Sequence, residues 1–113
     1  MSFRISIKNL KMLKTEGEGI GYLDAIYLHN SDDIISVLKQ KPLDLIIDCT
    51  KNVSDNTLLS EIYNFQIQQN RCFVIILPVE KQTNFPDLWD LAPTKTEALD
   101  LISFGQIQRE LNF

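Results

Sequence analysis

The chain alternates between two kinds of apolar spacing. Phe3, Ile5 and Ile7 alternate with polar residues, the period of a half-exposed strand, and residues 10–15 either extend it or form a second strand. Gly17, Gly19 and Gly21 then break the pattern as a turn does, and Tyr22 to Leu28, rich in aromatic and aliphatic residues, predicts a strand. Ser31-Asp32-Asp33 reads as a helix start, with a side-chain cap and acids at the positive end of the dipole. Ile34, Ile35, Val37 and Leu38 give that helix an apolar face, and Lys41-Pro42 stops it.

Leu43 to Cys49 is a continuous apolar run apart from Asp44 and Asp48, as expected for a central buried strand. Ser54 to Gln69 predicts a second helix, with Leu58, Leu59, Ile62, Tyr63 and Phe65 at helical spacing. Cys72 to Leu77 predicts another buried strand ended by Pro78, followed by a polar loop through Pro86 and a short last strand over Leu88 to Ala92. Thr94 and Glu97 have capping-box spacing for a third helix. Gly105 weakens a continuous helix by up to ~1 kcal/mol, so a kink or restart is expected there, with Ile107 to Phe113 as a short amphipathic helix laid back on the body. The order predicts an α/β fold: a mixed four- to five-stranded sheet whose central strands run parallel, with helices packed over it. Residues 1–113 read as a single domain, without repeat, low-complexity segment or linker.

Charge and composition narrow the function. Hydrophobic residues make up 44% and charged residues 23% of the chain, an ordinary globular mix, and the net charge is −4. An acidic balance argues against direct nucleic-acid binding, which draws on Lys and Arg at phosphates. Arg4, Lys8, Lys11 and Lys14 form a mildly basic stretch, but Glu16 and Glu18 follow at once, as on a solvated surface. The longest apolar run, Phe73 to Leu77, is far short of the roughly 20 residues that span a bilayer. The start has no signal-peptide core, so a cytoplasmic protein without membrane insertion is expected. Cys49 and Cys72 border neighbouring strand runs at opposite ends. They are expected to be buried, reduced and inert, not paired.

The parts of common catalytic sites are missing. His29 is the sole histidine, whereas a catalytic zinc usually needs three protein ligands, so no metal is expected. No Gly-rich phosphate loop precedes a helix and no nucleophile elbow occurs, so no cofactor and no catalytic residue is assigned. Asp32 and Asp33 read as helix-start acids, and Asp87 and Asp90 as acids of a polar loop or edge strand. Asp48 has two readings: ligand chemistry at the end of a central parallel strand, or an Asx turn into the following loop.

Leu43-Asp44-Leu45-Ile46-Ile47-Asp48-Cys49-Thr50, with this order of elements, resembles the STAS domain, the module of sulfate transporters and anti-sigma factor antagonists. The resemblance covers nearly the whole layout. In regulatory members the helix after this strand starts with a phosphorylatable serine. The corresponding stretch here is Val53-Ser54-Asp55-Asn56-Thr57-Leu58-Leu59, where either Ser54 or Thr57 takes that place. What the resemblance implies is a non-catalytic regulatory or adaptor module. Its protein partner would dock around Asp48, Lys51, Ser54, Asp55 and Thr57, with the exposed face of the C-terminal helix as the next candidate. The end of the chain, from Pro93 to Phe113, is similar to short bacterial proteins labelled in association with ribonuclease Z. That nuclease relies on a His-rich metal motif, so this resemblance implies an accessory of an RNA-processing enzyme that does not itself cut RNA. A small-ligand or lipid-binding module is the third expectation, marked by a long apolar pocket.

Overall fold

The computed structural model describes residues 13–17, 19–53 and 55–111. The strand expected over Phe3 to Ile7 and the serine at position 54 lie outside them. The described residues form a five-stranded mixed sheet with helices packed on both faces. Strand β1 is Lys14–Thr15 and β2 is Ile20–Asp24; a 3-10 turn, Ala25–Tyr27, leads to helix α1, Ser31–Gln40. Strand β3, Asp44–Asp48, is followed by α2, Asn56–Gln68, and β4, Phe73–Ile76. A 3-10 segment, Val79–Asn84, leads to β5, Asp90–Ala92, and then to α3, Lys95–Leu111.

The sheet order is sequential, β1-β2-β3-β4-β5, with β1 antiparallel to β2 and the other pairs parallel. Crossovers of one hand that step steadily in one direction place their helices on one face. Accordingly α1, α2 and the segment before β5 cover the face made by Leu23, Leu45, Ile47, Phe73, Ile75 and Leu77. Ile34, Val37, Leu38, Leu59 and Ile62 pack down onto it, and Tyr63, Phe73, Phe85 and Trp89 close its β5 side, Tyr63 stacked on Trp89 at 5.3 Å between ring centres. The opposite face, Ile20, Ile46, Val74, Ile76 and Ala92, is covered by Ala98 and Ile102 of α3. With a period of two along a strand, Asp44 and Asp48 share the face of Ile46 and so lie on the α3 side.

Several local expectations are corrected. The strand expected over Tyr22 to Leu28 is β2, which starts at Ile20, takes in Gly21, and stops at Asp24, where the Asp24 side chain accepts from the Ile26 N–H and caps the 3-10 turn. Helix α1 is capped by Asn30, not Ser31. The Asn30 Oδ1 accepts from the Asp33 N–H at 3.0 Å, while Ser31 is helical and buried, its hydroxyl donating to Glu61. Helix α2 starts at Asn56, with Asp55 in the N-cap position and making no side-chain cap bond. The loop after Pro78 contains the 3-10 segment. Helix α3 runs through Gly105 without a restart. The glycine sits over Cys72, where an added Cβ would fall 2.5 Å from Sγ, so it is held by close packing and not by a bend. Neither cysteine is in a disulfide. Cys49 is buried, but Cys72 is only partly so, because it precedes β4 at the sheet margin; burial and the nearby Asp44 carboxylate push its thiol up to about 11.

Candidate protein-binding surface

Strand β3 carries a carboxylate at each end, and the two are used differently. Asp44, at the amino end, has no solvent exposure. Its Oδ1 accepts from the Cys72 N–H at 2.8 Å and from Arg109 at 2.9 Å, and its Oδ2 accepts from Arg109 and Gln106, each at 2.9 Å. A two-pronged guanidinium contact matches carboxylate geometry and is the strong form of this pair. Burial alone would push the Asp44 carboxyl up. The hydrogen bonds from Arg109, the Cys72 N–H and Gln106 outweigh it and hold the group below the usual carboxylate range. Arg109 also donates to the Asn70 carbonyl at 3.0 Å, so this cluster fastens the last turns of α3 to the amino margin of the sheet.

The first turn of α3 is fastened at the other margin. The Thr94 hydroxyl accepts from the Glu97 N–H at 3.2 Å and donates to the Glu97 carboxylate, so the pair caps the helix in one direction. Lys95 lies 4.6 Å above the Tyr22 ring and pairs with Glu16 at 2.9 Å. The Tyr22 hydroxyl donates to Asp48, and burial, followed by that carboxylate, raises its pKa.

Asp48 thus belongs to the carboxyl margin. Its Oδ1 accepts from the Thr50 N–H at 3.0 Å and from the Thr50 hydroxyl at 2.6 Å, an Asx turn that shapes the exit of β3. Burial would raise this carboxyl, but the Thr50 and Tyr22 hydrogen bonds prevail and lower it. Lys51, Asn52, Asp55 and Thr57 are all exposed. The fold therefore brings Asp48, Lys51, Asp55 and Thr57 to one loop and helix start. Ser54 falls outside the described residues.

The apolar part of this margin is not evident from the sequence. Because β2, β3 and β4 are parallel, their exits lie on the same side of the sheet. Each exit carries an exposed apolar side chain: Ile26 and Tyr27 after β2, Val53 after β3 and Val79 after β4, between 44% and 63% exposed. The clue was Val53 within an otherwise polar loop. Nor does the sequence by itself pair Asp44 with Arg109. Arg109 lies eleven residues after Ala98, near the stripe that Ala98 and Ile102 turn inward.

Among the described residues no group of three His, Cys, Asp or Glu side chains is placed to hold a metal ion, and no helix is long and apolar enough to cross a membrane. His29 is exposed beside the cap of α1. No family model, no curated protein and no solved structure matches the chain.

Proposed function

We propose that this chain is a non-catalytic regulatory or adaptor module, similar to an anti-sigma factor antagonist domain, and that a protein partner docks on the carboxyl margin of its parallel strands. The observation that carries the reading is the run of exposed apolar side chains Ile26, Tyr27, Val53 and Val79 on three successive exits, with Lys51, Asp55 and Thr57 among them. Apolar side chains grouped with polar ones at a surface favour protein contacts, the apolar part excluding water and the polar part setting register. The margin is also where parallel α/β sheets display functional groups. Asp48 serves in this reading as the anchor of the loop, since Tyr22 and Thr50 already occupy both of its oxygens. Co-purification from the native cell names the partner. Hydrogen exchange on the purified complex then tests the site: slowed exchange over residues 49–57 and 25–28 supports it, and protection confined to other segments refutes it.

A further inference from the structure

A second surface lies on the opposite side of α3 from the sheet. Leu101, Phe104, Ile107 and Leu111 recur there at helical spacing and are exposed, Phe104 at 61%. Leu101 and Phe104 form one wall of a shallow groove of about 370 Å³, with Leu91, Ala92 and Pro93 along the other side. Glu97 and Asp100 stand on its rim. Asp87 and Asp90 add two more exposed carboxylates at the approach to β5. The cations of α3 are directed elsewhere, Arg109 to Asp44 and Lys95 to Glu16 and Tyr22.

We propose that the groove between α3 and the β5 edge receives a basic amphipathic helix of a partner protein. Its apolar side chains would lie on Leu101, Phe104 and Leu91, and its Lys or Arg side chains would meet Glu97 and Asp100. This site is separate from the carboxyl margin and does not depend on that reading. Charge selects the occupant. A second copy of this chain, at net charge −4, would set acidic rim against acidic rim. Strand addition is disfavoured by the edge itself. The Ala92 carbonyl is taken by the Leu77 N–H, which in a parallel ladder leaves Leu91 as the outward-facing residue of β5, and Pro93 follows with no N–H to offer. A helix needs no backbone partner and matches a groove lined by side chains.

The test uses the folded chain and a synthetic Leu/Lys amphipathic helix of about 14 residues, long enough to lie along most of α3, with a Leu/Glu analogue as control. Fluorescence anisotropy gives the affinities and amide chemical shifts give the site. Expected are binding of the Leu/Lys peptide, shifts centred on residues 88–111, and a loss of at least about tenfold in Phe104→Ala. The double variant Glu97→Lys with Asp100→Lys should lose the Leu/Lys peptide and gain the Leu/Glu one. Leu101→Ala provides a second, independent probe of the same wall, and far-UV circular dichroism checks that each variant is folded. Lys51→Glu with Thr57→Glu, at the other surface, should bind the peptide as wild type does. Unchanged affinity in Phe104→Ala and Leu101→Ala, or shifts centred elsewhere, overturns the proposal. So does a wild-type chain that sediments as a dimer and becomes monomeric in Phe104→Ala, since a second copy then covers the groove.

Discussion

Replacing Arg109 by Met removes the charge that faces Asp44 while keeping most of the apolar stem. Asp44 is wholly inaccessible to solvent, and the Arg109 side chain is 25% exposed. Taking one partner from a buried pair usually costs about 3–5 kcal/mol. Asp44 keeps the Cys72 N–H and Gln106, and the guanidinium is partly hydrated, so the loss at pH 7 should be about 2–3 kcal/mol, at or just below the lower end of that range. The pH dependence is diagnostic. In the wild type the folded Asp44 pKa is lowered, so its contribution is present above the unfolded value of roughly 3.9 and is lost as pH falls through the folded one. In Arg109→Met the burial penalty is less opposed and the folded pKa rises. The deficit relative to wild type should then shrink as the pH falls from the variant's raised folded value to the lowered wild-type one. Urea unfolding of both proteins across that range reads this directly. A variant within about 0.5 kcal/mol of wild type at pH 7, the range of an ordinary surface substitution, or a deficit that does not change with pH, refutes a buried charge clamp on α3.

Other outcomes follow from the same structure. Thr94→Ala removes the oxygen that receives the Glu97 N–H and should lower stability by ~1 kcal/mol in denaturant titration without altering partner affinity. Gly105→Ala should destabilise by about 1–3 kcal/mol despite the better helix propensity of Ala, because the new methyl meets the Cys72 sulfur; Cys72→Ala in the same chain should restore most of that loss. Elemental analysis of the purified protein should find no stoichiometric zinc or manganese, and a phosphodiesterase assay no chelator-sensitive turnover, in line with the single His29.

The mixed sheet and the location of the three helices were legible because their apolar periods are strong and several of their breaks, such as Gly17, Pro42, Pro78 and Pro93, are Gly or Pro. The errors arose where a polar side chain competes for the backbone. Asp24 turns the chain out of β2 early, and Asn30 takes the cap that Ser31-Asp32 suggested. Gly105 misled in the other direction: its cost to the helix is local and visible in the sequence, whereas its reason, the Cys72 sulfur beneath it, comes from a residue 33 positions earlier. Asp44 was read as an interruption of a buried run, since its partner lies 65 residues away. Asp48 was legible in both of its aspects, as the residue at a strand exit and as the centre of an Asx turn. The apolar members of that margin were not, because their shared location depends on the parallel pairing of three strands.

Docking of a protein partner at the carboxyl margin, as proposed above, is tested by calorimetric titration of the co-purified partner. Lys51→Glu with Thr57→Glu alters two exposed side chains and should leave the unfolding midpoint near that of wild type. This folded double variant should bind its partner at least about tenfold more weakly, a difference of about 1.4 kcal/mol. Equal affinity of the double variant and the wild type would contradict it.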